Sequence, residues 1–119
     1  MAKKILVVED DTSIRELLVE LLESESYEVY SAVNGLEGLK VLEAGNRPDL
    51  ILIDLMMPIM DGYSFRTEQL KNSVWSKIPT IVMSAEANAK EKMKNFQITA
   101  FLSKPVELET ILNTVARYV

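Results

Sequence analysis

Neither cysteine nor histidine occurs anywhere in the 119 residues. Without cysteine there is no disulfide, no thiolate nucleophile and no cysteine-type zinc site. Without histidine the chain lacks the commonest general base and the usual transition-metal ligand, and it cannot itself carry a phosphohistidine. Apolar runs stay far below the roughly 20 residues of a membrane-spanning helix. Positive charge is also scarce: 13 Lys and Arg stand against 18 Asp and Glu, a formal net charge of −5. That balance argues against direct contact with nucleic acid, whose phosphates require clustered cations. The opening "MAKK" has no apolar segment behind it of the secretory kind, so a cytoplasmic location without membrane attachment is expected. Carboxylates, hydroxyls and lysines remain, which suit hard cations and phosphoryl groups.

A hydrophobic share of 48% with 26% charged residues is a globular balance rather than a disordered one. The length fits one domain, residues 1–119, with a single sizeable core. No repeat or low-complexity tract interrupts it. Short apolar runs alternate instead with stretches of helical period. "ILVV" (5–8) is continuous and β-branched, as a strand covered on both faces should be. Asp11, Thr12 and Ser13 then offer capping oxygens, and Ile14, Leu17, Leu18, Leu21 and Leu22 recur at helix spacing. Asp11 reads better as that cap than as a ligand.

Further strands are expected at 27–32, 47–55, 78–85 and 99–103. Helices are expected after Asn34-Gly35, with Leu36, Leu39 and Leu42, and from Gly62 to about Leu70, capped by Asp61. Two more follow, from Asn88 to Phe96 and from Val106 to Val119. Lys90, Lys92 and Lys94 alternate with Glu91 on the fourth of these helices, as a solvated face does. Trp75 falls in a loop-like stretch, where it either caps an edge of the core or contacts a partner.

Strands alternating with helices mean repeated βαβ units. The fold class is therefore α/β, a five-stranded parallel sheet with right-handed crossovers and helices on both faces. In such sheets ligands bind beyond the carboxyl ends of the strands. Glu9 and Asp10 follow the first strand, Asp54 ends the third, Ser84 the fourth, and Lys104 the fifth. Taken singly these are a turn aspartate, a loop hydroxyl and a solvated lysine. Gathered at one edge they make three carboxylates, an alcohol and an ammonium. Crowded carboxylates repel one another and raise one another's pKa unless a cation intervenes. An all-oxygen set that leaves room for water and substrate suits Mg²⁺, with Mn²⁺ as a substitute.

The stretches "VVED" (7–10), "ILIDLMMPIMDG" (51–62), "VMSA" (82–85) and "FLSKP" (101–105) resemble, in order, the motifs of the receiver domain of bacterial two-component response regulators, the chemotaxis-regulator type. The resemblance covers essentially the whole chain. It implies a flavodoxin-like (βα)5 doubly wound sheet of strand order 2-1-3-4-5. Asp54 then corresponds to the phosphoacceptor. Glu9, Asp10, Asp54 and the backbone carbonyl of Met56 correspond to the Mg²⁺ ligands. Ser84 matches the switch hydroxyl, with the Ala85 N–H beside it; Lys104 matches the phosphate-pairing lysine, and Phe101 the rotating aromatic. Lys104-Pro105 is where the family places a cis peptide.

The implied partners are a histidine kinase or histidine phosphotransfer protein, and a downstream protein target or fused output domain. Phosphorylation would switch partner binding through a surface formed by helix four, strand five and helix five, and a phosphorylation-dependent dimer is compatible with it. Such a chain is a phosphoacceptor switch, not a turnover enzyme. Four departures stand out. Glu9 replaces a common Asp, Ser84 a frequent Thr, and "NFQITAF" (95–101) lacks the usual Gly-Ala turn. Phe101 lacks a tyrosine's hydroxyl. Among competitors, a phosphatase using an aspartyl nucleophile needs a second Asp where Met56 stands. A flavin or nucleotide carrier needs a phosphate loop where "EDD" stands. An unphosphorylated interaction module of the same fold is the remaining alternative.

Overall fold

Ile5, Leu6, Val7 and Val8 are all completely withdrawn from solvent in the computed structural model, which describes residues 2–119. Burying each such side chain contributes roughly 1.5–3 kcal/mol, enough to fix this segment at the centre of the sheet. The strands are β1 (Lys4–Val8), β2 (Glu28–Ala32), β3 (Leu50–Asp54), β4 (Thr80–Ser84) and β5 (Ala100–Ser103). All pair in parallel, in the order β2-β1-β3-β4-β5. The helices are α1 (Thr12–Ser24), α2 (Gly35–Glu43), α3 (Gly62–Leu70), α4 (Ala89–Lys92) and α5 (Leu108–Tyr118).

Alternate side chains along a strand point to opposite faces, and the core divides accordingly. Leu6, Val8, Ile51, Ile53 and Val82 pack on one face with Leu39 and Leu42 of α2 and Phe65 of α3. Ile5, Val7, Leu50, Leu52, Ile81 and Met83 pack on the other with Leu18 and Leu22 of α1 and Ile111 and Val115 of α5. Three helices begin on side-chain caps. Asp11 accepts from the Ile14 N–H (3.0 Å), Asn34 from the Glu37 N–H (2.9 Å), and Asp61 from the Ser64 N–H (2.8 Å). Each cap contributes about 1 kcal/mol and sets where its helix leaves the sheet edge.

Not every apolar position of the helical pattern is buried. Ile14 and Leu17 on α1, Leu36 on α2 and Leu108 on α5 are exposed. They occupy the first two turns of their helices, nearest the carboxyl edge of the sheet.

The expected single helix from Asn88 to Phe96 is not formed. Only Ala89–Lys92 is α-helical, followed by a tighter 3-10 turn over Met93–Phe96. Asn88 (φ 64°) and Gln97 (φ 53°) bracket the segment in the left-handed region. Just two of its residues, Ala89 and Met93, are buried. A two-residue apolar anchor is too little to hold a longer helix against the sheet. The last helix starts at Leu108 rather than Val106, because Pro105 and the extended Glu107 carry the chain off β5 first. Strands two to five are shorter by one or more residues than their apolar runs suggest. Trp75 lies in a 3-10 turn (Trp75–Lys77), half-buried against the α2–α3 side of the core.

Candidate functional site at the carboxyl edge

The strand register decides which side chains meet. Val8 pairs with Ile53, Asp54 with Met83, and Ser84 with Ser103. The residues just past Val8 and Ser103 therefore reach the same edge as Asp54. Glu9 is fixed there by its own N–H, which donates to the Ala32 carbonyl (3.0 Å), and Lys104 by its N–H to the Ser84 carbonyl (2.9 Å).

Lys104 Nζ donates to Asp54 Oδ2 at 2.8 Å and to Glu9 Oε1 at 3.0 Å. Glu9 and Asp54 are buried, with 1% and 5% of their surface exposed, while Asp10 faces solvent. One carboxylate oxygen from each of the three lies within 4.8 Å of the others. On Glu9 and Asp54 the second oxygen is held by backbone. Glu9 Oε2 accepts from the Asp11 N–H (3.2 Å), and Asp54 Oδ1 from the Met56 N–H (3.2 Å).

Burial pushes the Glu9 carboxyl from 4.5 up to about 7. The Asp54 charge adds to the rise, against the pull of the Lys104 and Asp11 hydrogen bonds. Burial also works against the Lys104 ammonium, but its hydrogen bonds to Asp54 and Glu9 outweigh this and leave its pKa raised. One ammonium thus pairs with two of the three carboxylates, Glu9 and Asp54.

Gly62 keeps the loop after β3 close to Asp54. Its N–H donates to the Leu55 carbonyl at 2.9 Å. A β-carbon on Gly62 would fall 2.8 Å from the Asp54 carbonyl oxygen and 2.8 Å from the Leu55 Cα. Both obstacles are backbone and cannot give way cheaply, so only glycine lets α3 start there.

The other candidate residues fall around this cluster. The Ser84 hydroxyl is buried and accepts from the Glu86 N–H at 3.0 Å. Ala85 and Met56 are exposed, and the Lys104–Pro105 peptide is cis. Phe101 is half-buried against the core face that carries α3 and α4. Glu9, Asp10 and Asp54 are thus brought close together, and Lys104 touches Glu9 and Asp54. Ser84 stands beside them with its hydroxyl engaged by Glu86.

Two arginines escaped the sequence reading. Arg15 Nη1 donates to the Glu9 carbonyl at 3.0 Å and to the Asp10 carbonyl at 3.4 Å, bracing the acidic turn from α1. Arg66 is buried at 4% exposure. It donates to the Phe96 carbonyl (2.9 Å), the Gln97 carbonyl (2.8 Å) and Thr80 Oγ1 (3.1 Å). These bonds tie the end of the short α4 segment to α3 and β4, in the stretch where a Gly-Ala turn is missing. That missing turn was the only signal in the sequence.

The cluster has recognisable relatives. Residues 5–116 match the response regulator receiver domain family. The chain is 36% identical over 123 residues to the probable transcriptional regulator ycf29 of Pyropia yezoensis, covering 98% of this chain and 55% of that protein. It is 31% identical to the sensor histidine kinase CheAY of Helicobacter pylori, over 95% of this chain and 14% of that protein. The chain therefore spans about half the length of ycf29 and a much smaller part of CheAY. Among solved structures, the chemotaxis response regulator CheY4 of Vibrio cholerae superposes with a TM-score of 0.90 at 31% identity, covering 100% of both chains. The response regulator TrrA of Thermotoga maritima, solved in complex with Mg²⁺ and BeF, gives 0.87 at 31% identity, covering 98% and 99%. With its sheet order, its edge cluster and these matches in agreement, the chain belongs to the response regulator receiver domain family.

Proposed function

We propose that the chain is a phosphorylation-controlled switch in which Asp54 accepts a phosphoryl group from a histidine of a kinase or phosphotransfer protein. One observation carries this reading. The buried Asp54 carboxylate is in direct contact with Lys104 and within reach of the Glu9–Asp10 pair. An Asp54 carboxylate oxygen attacks the phosphorus of the donor phosphohistidine. A P–O bond forms, the P–N bond breaks, and the imidazole nitrogen leaves with the electron pair. Transfer of this kind depends mostly on positioning and charge neutralisation.

The donor set suits Mg²⁺. Three carboxylates gathered at one edge, with Lys104 paired to two of them, leave negative charge that a hard cation would fill. Glu9, Asp10, Asp54 and the Met56 carbonyl would hold it, with Mn²⁺ as a substitute. When bound, the ion neutralises charge on the phosphoryl oxygens. Lys104 transfers its Nζ contact from Asp54 to a phosphoryl oxygen. The Ser84 hydroxyl and the Ala85 N–H approach another, and Ser84 must leave Glu86 to do so. Phe101 then moves in its half-buried site, and the surface of α4, β5 and α5 changes its affinity for a target.

The phosphodonor has a place to dock. An apolar groove of about 350 Å³ opens next to Lys104, lined by Ile14, Leu17, Met83, Pro105 and Ile111 among others. Its rim carries the exposed first-turn residues of α1 and α5. Residues 1–119 act as one receiver unit, whose output is either a separate protein or a joined domain, with phosphorylation-dependent dimerisation as one route to it. The chain promotes its own labelling and dephosphorylation and turns over no other substrate. Among the described residues no helix is long and apolar enough to cross a membrane. The test is labelling by acetyl phosphate with Mg²⁺. The chain should take up one phosphoryl group, and Asp54→Asn should take up none. Undiminished labelling of the variant would remove Asp54 from this role, and absence of labelling in both would favour an unphosphorylated interaction module.

A further inference from the structure

We infer that Tyr63 and Lys92 hold Glu86 in a latch that keeps the Ser84 hydroxyl in its resting position. This makes all three positioning residues for the phosphoryl-dependent shift of Ser84, and the inference rests on the roles of Asp54 and Ser84 proposed above. Glu86 is gripped at three points. Its backbone N–H donates to Ser84 Oγ at 3.0 Å. Its Oε2 accepts from the Tyr63 hydroxyl of α3 at 3.4 Å. Its Oε1 pairs with Lys92 Nζ of α4. A single residue therefore joins the switch hydroxyl to two separate helices.

The Tyr63 end is a firm anchor. Its ring lies tilted at 60° to that of Phe96, with centroids 5.8 Å apart. The backbone at Phe96 and Gln97 is in turn held by the buried Arg66, one turn along α3. Tyr63 and Arg66 thus share a face of α3 and grip neighbouring parts of the α4 region. Burial first, and the Glu86 charge second, raise the Tyr63 pKa, so its hydroxyl remains a donor at neutral pH.

The consequence follows from hydrogen-bond geometry. The Ser84 hydroxyl must turn toward Asp54 to meet a phosphoryl oxygen there. The Glu86 N–H then either loses its acceptor or must move with Ser84. Moving requires the Glu86 side chain to let go of Tyr63, Lys92 or both. Each hold is modest by itself, a neutral-to-charged hydrogen bond and a partly exposed ion pair. Together they lower the fraction of molecules poised for the phosphoryl group, and apparent affinity falls by that fraction.

Two variants separate this device from ordinary packing. Tyr63→Phe keeps the ring against Phe96 and removes only the hydroxyl. Lys92→Gln removes an ammonium from an exposed position. Beryllofluoride with saturating Mg²⁺ mimics the phosphoryl group without a covalent step, and its affinity reads the cost of moving Ser84. Mg²⁺ affinity measured alone reads the acidic cluster without that movement. Each variant should bind beryllofluoride about threefold to fivefold more tightly, the worth of one long hydrogen bond or one exposed ion pair, with Mg²⁺ affinity unchanged. The amide resonance of Glu86 should also shift toward its beryllofluoride-bound position in the free variants. Beryllofluoride affinity within about twofold of the parent chain in both variants would overturn the latch while leaving the phosphoryl reading intact. Equal tightening of Mg²⁺ alone would overturn it as well, by showing a general rearrangement of the site. Failure of the parent chain to bind beryllofluoride at all would overturn both readings together.

Discussion

Lys104 Nζ lies 2.8 Å from Asp54 Oδ2, joining a residue just past the edge strand β5 to the end of the central strand β3. The same ammonium reaches Glu9 Oε1 at 3.0 Å, 95 positions away in sequence. With Lys104 gone, two buried carboxylates would face each other unpaired. Lys104→Met is therefore expected to lower the stability of the metal-free protein by about 2 kcal/mol near pH 8, where Glu9 is ionised. The loss should shrink near pH 6, because Glu9 then takes up a proton. Urea unfolding at the two pH values measures it.

The carboxylates that Lys104 does not neutralise set a second expectation. A cation that binds only the folded cluster stabilises it by linkage, by about 1.4 kcal/mol at ten times its Kd. Millimolar Mg²⁺ should raise the unfolding midpoint, and Asp10→Ala should erase most of the gain while scarcely altering the metal-free midpoint, since Asp10 is exposed. Thermal melts with and without Mg²⁺ provide the comparison.

The raised pKa of Glu9 gives a pH dependence of defined sign. In the unfolded chain Glu9 titrates near its ordinary 4.5; in the fold it does so near 7. Between those values the folded state keeps a proton that the unfolded state has released. Stability of the metal-free protein should therefore fall as pH rises from about 4.5 to about 7 and then level off, by at most about 3–4 kcal/mol. Glu9→Gln, neutral throughout, should flatten that limb. The difference between the two stability profiles isolates Glu9 from the other acids of the site, Asp54 and Asp10.

Much of this was legible in the sequence because it rests on local pattern. "ILVV" and "LILID" are continuous apolar runs, and such runs signal strands buried on both faces of a parallel sheet. Asp11, Asn34 and Asp61 announce three helix starts through capping chemistry. Once the sheet is parallel, its carboxyl edge collects Glu9, Asp10, Asp54, Ser84 and Lys104 without any knowledge of side-chain contacts. The α4 region was not legible in this way. Its helical period is real, but too few of its apolar residues are buried to extend it, and its end is tied down by Arg66, which is 30 residues away from its acceptor on Phe96. An arginine on a helix ordinarily reads as a solvent-facing charge, and nothing nearby in sequence shows that this one turns inward. Glu86 is similar: its neighbours suggest a loop acid, and only the fold brings Tyr63 to it.

Arg66 supplies the next expectation. Its planar fork satisfies two carbonyls and the Thr80 hydroxyl at once, which the point charge of a lysine cannot reproduce. Arg66→Lys and Arg66→Met should each cost about 2–3 kcal/mol, as expected when buried acceptors lose a charged donor. The amides of residues 93–98 should exchange with deuterium markedly faster, while those of β1 and β3 change only by the global loss. Uniform acceleration across the sheet would show instead that Arg66 has no particular hold on the α4 segment.

The most direct measurement is chemical. The chain is incubated with acetyl phosphate and Mg²⁺ and then reduced with borohydride, which converts an aspartyl phosphate into homoserine. Peptide sequencing should find homoserine at position 54 and aspartate retained at 10, 11 and 61. Homoserine at any of those three positions with Asp54 intact, or no conversion at all, would contradict the account.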